Sequence, residues 1–207
     1  MMKKITGFFG RIQYNSPVVL TFMFASFGAL ILDMALNGAA GVLLFSVYRS
    51  SPADPLTYLR LFGHVMGHSG FSHFFNNFLI ILLVGPTIEE RYGHRPVVLM
   101  ILATAALTGV AHMIFSAETR LMGASGVVFM MIILSSFVSL ERGRIPLTLI
   151  LCVFVFIGQE VVAGVSQSIS DNVTNISYAS HIAGGALGAA FGLLLNSDVL
   201  FRRKIKP

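Results

Sequence analysis

A serine and two histidines stand out within the apolar segments of this chain. Ser125 lies in Gly-Ala-Ser-Gly, His73 is followed four residues later by Asn77, and His181 precedes a run rich in alanine and glycine. Serine is a weak nucleophile unless a neighbouring base accepts its proton, and histidine most often serves as that base. These residue types could perform acyl transfer if the fold brings them together.

The residues around Ser125 suit the negative charge that forms when a hydroxyl attacks a carbonyl. Flanking glycines allow a tight turn and the close approach of a substrate. Ser125 then lies at a helix N-terminus, where free N–H groups and the helix dipole stabilise an anion. His73 and Asn77 share a helix face, because they are four residues apart, and both can donate hydrogen bonds. We expect an oxyanion site formed by His73, Asn77 and the backbone at Gly123 and Ser125.

His181 is the expected base for Ser125. No carboxylate lies beside it in the sequence, so we predict a Ser–His dyad and not a triad. The reaction requires a neutral imidazole at the start, because a protonated ring cannot accept the hydroxyl proton. We therefore expect the reaction rate to fall as the pH decreases and His181 takes up a proton.

Small residues are spaced so that the helix carrying His181 can approach its neighbour. Gly184 and Gly188 follow His181 on the same helix face, in the pattern that allows close contact between membrane helices. Contact with the helix that starts near Gly126 would bring the imidazole to the serine hydroxyl. Phe129 lies one turn after the serine, where its ring could pack against the imidazole.

The composition indicates that these residues lie in a membrane. Hydrophobic residues make up 55% of the 207-residue chain and charged residues only 11%, whereas a soluble domain carries about 25% charged residues. A chain of this composition cannot bury all of its apolar surface in its own core, so lipid must cover much of it. The single cysteine, Cys152, can form no internal disulfide and lies in an apolar run.

Six segments are apolar enough to be membrane spans, which need about 20 residues. They comprise residues 17–36, 71–88, 96–115, 124–140, 146–164 and 180–195. A long, partly apolar connector at 37–70 separates the first two. We predict an all-α polytopic membrane protein with one six-helix domain over 1–207, in which the connector lies at the membrane interface.

The distribution of basic residues predicts the orientation. Alternating loops place eleven lysines and arginines on the side of both termini and three on the other side. By the positive-inside rule, both termini should be cytoplasmic. We expect the protein to be integral to the plasma membrane. The net charge of +5 then reflects topology, so we expect no nucleic-acid partner.

Ser125, His73 and His181 should lie at one depth in the bilayer. Each is sixteen or seventeen residues before the acidic residue that ends its span on the cytoplasmic side. At the rise of a helix, they lie roughly 24 to 26 Å above that boundary, in a hydrocarbon core about 30 Å thick. Polar groups are costly in a membrane, so three at one level indicate a site that opens to the outer side.

Four motifs occur in order along the second to sixth spans. They read His68-x4-His73-x3-Asn77, Glu89-x-Arg91, Gly-Ala-Ser-Gly126 and Ala179-Ser-His181-x2-Gly184-x3-Gly188. This ordered set resembles the rhomboid intramembrane serine proteases in their minimal six-helix, bacterial-type form. The resemblance implies that Ser125 and His181 form the catalytic dyad and that His73 and Asn77 bind the oxyanion.

The resemblance also implies structural roles for other polar residues. Glu89 and Arg91 resemble the pair that secures the cytoplasmic end of the second span. Arg60 matches an arginine of the family's membrane-embedded loop, although Leu59 stands where many relatives have tryptophan. The fifth span resembles the family's proposed substrate gate. Independently of the resemblance, we expect His64 and His68 to belong to the polar packing of the loop.

The leading hypothesis is an intramembrane serine endopeptidase. It would hydrolyse membrane-anchored proteins near the outer end of their transmembrane helix, through an acyl-enzyme and without a cofactor.

Other readings of the same residues are possible. A metal site at His64, His68 and His73 lacks a complete ligand set, and Ser125 could instead serve only helix packing. A non-catalytic scaffold that binds membrane clients is the alternative function. A small transporter is a further alternative function. The sequence lacks the repeated halves typical of transporters, which argues against it. The oligomeric state stays open.

Overall fold

The computed structural model describes residues 13–115, 119–138 and 178–197, together with scattered residues between 147 and 158. The helices in these parts are α1 (Pro17–Ala35), α2 (Ala39–Leu43), α3 (Pro55–Gly63), α4 (Phe71–Tyr92), α5 (His94–Phe115), α6 (Ser125–Ser135) and α7 (Tyr178–Leu195). A 3₁₀ turn, His64–Met66, follows α3. The predicted fifth span, 146–164, lies mostly outside the described residues, although those described within it are helical.

Helices α1, α4 and α5 are long and apolar enough to cross a membrane, and α6 and α7 are shorter apolar helices. Large apolar side chains point outwards from the long helices, including Phe75, Leu79 and Leu83 on α4, which are 60–70% exposed. An exposed apolar surface of this kind suits lipid and not water. The all-α architecture of the described residues therefore fits a membrane environment.

Helices α4 and α5 extend beyond the expected spans 71–88 and 96–115, because both continue as far as Gly93. Helix α4 continues past Ile88 to Tyr92, and Gly93, with φ +87°, ends it. Such a conformation is rarely adopted by residues other than glycine. Helix α5 then begins at His94, two residues before Pro96. Only Gly93 separates the two helices, so they form a tight hairpin.

Glu89 ties three helices together at this end of the molecule. Its side chain is 2% exposed and accepts hydrogen bonds from the backbone N–H groups of Val18 (2.9 Å) and Val19 (3.0 Å). Nδ1 of His94 lies 2.7 Å from the carboxylate. The first N–H groups of α1 have no partner within their own helix, so the carboxylate satisfies them and complements the helix dipole.

We expect Glu89→Gln to lower the free energy of unfolding by about 2 kcal/mol, because an amide cannot replace all the acceptor positions of a buried carboxylate. Unfolding by SDS in mixed micelles would measure the change. The matched control is Glu90→Gln, since Glu90 is exposed and should shift stability by less than about 0.5 kcal/mol. Equal effects of the two substitutions would contradict the role assigned to Glu89.

Arg60 organises the connector between α1 and α4. The side chain is 4% exposed, and its guanidinium donates hydrogen bonds to the Leu43 carbonyl and to the Asp54 carboxylate, both at 3.1 Å. The guanidinium also lies 4.7 Å from the ring centroid of Tyr48. Leu59, by contrast, is 53% exposed. The arginine therefore folds the connector onto itself, whereas its neighbour faces outwards.

Helix α6 lies at the centre of the described helices, with α4, α5 and α7 packed around it. Met130, Met131 and Leu134 of α6 are fully buried. At eleven residues, α6 is about 16 Å long and ends at Ser135, before the expected end of the fourth span. The first residue of this central helix is Ser125, so the fold itself places the serine inside the protein.

Candidate active site

The connector holds the loop that leads into α6. Val47 and Leu121 form an antiparallel bridge, with two backbone hydrogen bonds of 2.9 Å. Two residues further on, the N–H of Gly123 donates to the carbonyl of His64 at 2.9 Å. The backbone just before Ser125 is therefore fixed at two points by a segment that is distant in sequence.

His64 is itself anchored beneath this loop. Nδ1 lies 3.0 Å from the Leu61 carbonyl, and Nε2 lies 3.3 Å from the hydroxyl of Thr108 on α5. Burial lowers the pKa of His64 to about 4, so the ring is neutral at neutral pH. In that state one nitrogen donates and the other accepts. His64 therefore contributes to the position of the loop, through its backbone carbonyl and through its anchored ring.

Ser125 and His181 are brought together by α6 and α7. Nε2 of His181 lies 3.1 Å from Oγ of Ser125, within hydrogen-bonding distance. The ring of Phe129 packs against the imidazole, with centroids 4.5 Å apart. With the proton on Nδ1, Nε2 can accept the serine proton. The pair therefore has the geometry of a nucleophile and its base.

Glycines let the two helices approach closely enough for this contact. A methyl group at Gly184 would collide with the carbonyl oxygen of Gly126, and one at Gly188 with the carbonyl oxygen of Met130. Gly126 is crowded in turn, because an added Cβ would lie 2.9 Å from Thr108 on α5. Backbone therefore packs directly on backbone along α6 and α7, as small residues permit in membrane helices.

His73 and Asn77 face the turn that precedes the serine. Gly123 has φ +128°, and an added Cβ there would lie 2.7 Å from Nε2 of His73 and 3.7 Å from Nδ2 of Asn77. Asn77 is 7% exposed, and its Nδ2 has no hydrogen-bond partner within the described part of the chain. A buried donor without a partner is costly, and here it is available to an incoming oxygen atom.

Ser69 is a site residue that the sequence analysis did not identify. Its hydroxyl lies 3.2 Å from Nδ1 of His73. When Ser69 donates this hydrogen bond, the imidazole proton resides on Nε2, the nitrogen that faces Gly123. Ser69 can therefore set the tautomer in which His73 donates towards the serine loop. No sequence motif identified this contact.

The buried ring of His68 packs against the ring of His73. His68 is 1% exposed, its Nδ1 lies 3.1 Å from the Met66 carbonyl, and its ring meets that of His73 edge-on at 5.0 Å. Burial, and then the neighbouring His73, lower the pKa of His68 to about 4. The ring is therefore neutral at neutral pH and packs as part of an aromatic cluster with Phe74 and Phe78.

Other polar residues from the sequence analysis lie elsewhere. The Arg91 side chain is exposed, while Glu89 bonds to α1 and His94. Within the described ranges, no three histidine, cysteine or acidic side chains come close enough to hold a metal ion. The polar groups that do converge on one point are Ser125, His181, His73 and Asn77.

A family model described as the Rhomboid domain matches residues 55–198, which is more than half of the chain. The matched region begins at α3 and extends past the end of α7, so it contains every residue of the candidate site. Members of this family are integral membrane proteins, generally serine proteases that act on membrane-protein substrates within the bilayer. The chain therefore belongs to the rhomboid family.

Proposed function

We propose that this protein is an intramembrane serine endopeptidase with Ser125 as nucleophile and His181 as base. It hydrolyses peptide bonds of membrane-anchored proteins near the outer end of their transmembrane helix. The observation that carries the proposal is the 3.1 Å separation between His181 Nε2 and Ser125 Oγ at the start of a central helix. Membership of a family of intramembrane proteases supports it.

The reaction follows from the positions of these groups. His181 Nε2 takes the Ser125 proton as Oγ attacks the peptide carbonyl, and the carbonyl oxygen becomes an oxyanion. Nε2–H of His73 and Nδ2–H of Asn77, with the backbone N–H of Ser125 at the start of α6, then donate to that oxygen. His181 returns the proton to the leaving amine, and an acyl-enzyme remains. A water molecule, deprotonated by His181, attacks the ester and releases the new carboxyl terminus.

The proposed membrane topology is the one predicted from the sequence. One domain over residues 1–207 has six spans, both termini are cytoplasmic, and the site opens to the outer face of the plasma membrane. The excess of basic residues on the side of the termini supports this orientation. The exposed Arg91 and Arg95, at the end of the α4–α5 hairpin opposite His73, agree with it.

The test is cleavage of tagged single-span proteins by the purified enzyme in proteoliposomes prepared in H₂¹⁸O. We expect two fragments whose masses add up to the substrate plus water, with ¹⁸O in the new carboxyl terminus. The cut should lie in the outer third of the span, and the rate should fall at acid pH as His181 becomes protonated. Failure to cut a panel of such substrates would favour a client-binding scaffold of the same fold.

Gly184→Ala should reduce kcat/KM by about 100-fold, because displacing a catalytic group by about 1 Å can cost this much. The added methyl would meet the Gly126 carbonyl and push His181 away from Ser125. The matched control is Gly28→Ala, since Gly28 also lies in a spanning helix but has open space where the methyl would be. Equal activities of the two variants would contradict the close packing of α6 and α7.

A further inference from the structure

A polar cavity of about 420 Å³ adjoins the candidate active site. Ser69, His73 and Met122 line it on the side of the serine loop, and Asp33, Ser46 and Arg120 are among the residues that line the rest. We call it the polar cleft. Its volume is within the range of ligand pockets, and it shares His73 with the candidate oxyanion site, so a substrate held at Ser125 passes beside it.

Two hydrogen-bond donors of the polar cleft lack an acceptor. Ser46 is 1% exposed, and its hydroxyl has no hydrogen-bond partner among the described residues. The Arg120 guanidinium lies 5.4 Å from the ring centroid of Tyr48 and forms no ion pair with any described residue. A buried hydroxyl without a partner is costly, so a ligand that supplies an acceptor would be stabilised here.

The other arginines on this side of the molecule are already engaged. Arg49 donates to the carbonyls of Met113 and Ile114, which end α5. Arg60 donates to Leu43 and pairs with Asp54, as described above. Arg60 and Arg120 approach the same aromatic ring, but only the charge of Arg60 is offset by a carboxylate. Of these three arginines, Arg120 is therefore the one with neither a hydrogen bond nor an ion pair to a described residue.

Asp33 lines the same cleft but forms no ion pair with Arg120. Its carboxylate accepts a hydrogen bond from the Gly41 N–H and so caps the short helix α2. One backbone N–H thus occupies one carboxylate oxygen, as favoured for an acid near a helix N-terminus. The polar cleft therefore contains the exposed guanidinium of Arg120, which has no ion-pair partner among the described residues, and the buried hydroxyl of Ser46, which has no acceptor there. The group that complements both is an anionic acceptor.

Arg120 is held at a fixed position relative to the nucleophile. It immediately precedes Leu121, whose backbone pairs with Val47, and it lies five residues before Ser125. An extended peptide advances about 3.3 Å per residue, so a substrate residue within about four positions of the cut bond can reach the guanidinium. We propose that the polar cleft is a substrate subsite that selects an acidic side chain, with Arg120 and Ser46 as specificity-determining residues. This inference rests on the proposed function.

The test uses single-span substrates in which each of the four residues on either side of the cut is changed in turn to Glu, Gln or Lys. At one position, wild-type enzyme should cleave the Glu substrate about fivefold faster in kcat/KM than the Gln substrate, because an ion pair at an exposed arginine is modest in strength. The Lys substrate should be the slowest. Arg120→Gln should abolish this order, and Arg120→Glu should favour Lys.

Misfolding cannot produce the inverted preference of Arg120→Glu, so that variant distinguishes recognition from damage. The matched control is Arg49→Gln, which removes a neighbouring charge that does not line the cleft and should retain the preference for Glu. No charge preference at any position would overturn the proposal. A preference for Lys that disappears in Asp33→Asn would also overturn the proposal, because Asp33 and not Arg120 would then recognise the substrate side chain.

Binding of the same substrates to Ser125→Ala separates this inference from the proposed function. Tighter binding of the Glu substrate, measured by fluorescence anisotropy in nanodiscs, supports the subsite even if wild-type protein cuts nothing, in which case only the proposed function fails. Cleavage and binding that are both independent of charge overturn the subsite and leave the protease intact.

Discussion

Ser125→Ala and His181→Ala should each reduce the cleavage rate by about 10⁴-fold or more, because removing either member of a nucleophile–base pair removes most of the catalysis that the pair provides. The two side chains act as one unit, since the proton that leaves Ser125 must go to His181. The double variant should therefore be no slower than the slower single variant. Initial rates in proteoliposomes would measure all three.

Ser135→Ala is the matched control for this loss. Ser135 lies at the other end of the same helix, and its hydroxyl donates to the Ile132 carbonyl. We expect this variant to keep activity of the same order as wild type and all of these variants to remain folded. A His181→Ala enzyme that retained more than about one hundredth of the wild-type rate would contradict the role of His181 as base.

Asn77→Ala should lower kcat by about 100-fold with little change in KM, because the amide donates to charge that is largest in the transition state. Its Nδ2 is buried and has no partner among the described residues, so the resting enzyme loses no observed hydrogen bond when the side chain is truncated. Stability should therefore change much less than activity. Steady-state kinetics with one substrate, together with thermal unfolding, would separate the two effects.

The neighbouring asparagine provides the control for this prediction. Asn76 has the same side chain one position earlier but is exposed on α4, so Asn76→Ala should leave kcat within about twofold of wild type. A similar loss in both variants would indicate a general disturbance of α4. An unchanged kcat in Asn77→Ala would contradict its assignment to the oxyanion site.

The sequence was informative about the candidate site because polar residues in membrane spans are rare. Ser125, His73 and His181 could be compared in depth by counting residues to the end of each span. The glycine spacing at Gly184 and Gly188 also indicated which face of the last helix approaches α6. Each of these signals depends on helical periodicity, which is visible in one stretch of sequence.

The contacts that the sequence did not reveal join segments without such periodicity. The bridge between Val47 and Leu121 is a backbone contact between two loops, and its side chains carry no pattern that identifies the partner. The contact between the Ser69 hydroxyl and Nδ1 of His73 joins the end of the connector to the first turn of α4. The backbone conformation of Gly93 determines where α4 ends and α5 begins, whereas the expected spans were drawn from hydropathy. The observed helix ends therefore differ from the expected span ends by a few residues.

The central claim is that His181 activates Ser125, and labelling with a fluorophosphonate tests it most directly, because the reagent reacts with activated serine hydroxyls and needs no substrate. We predict one phosphonyl adduct per protein, mapped by mass spectrometry to Ser125. It should be absent in Ser125→Ala and form much more slowly in His181→Ala. Absence of any adduct on folded wild-type protein, or labelling of His181→Ala at the wild-type rate, would contradict the claim.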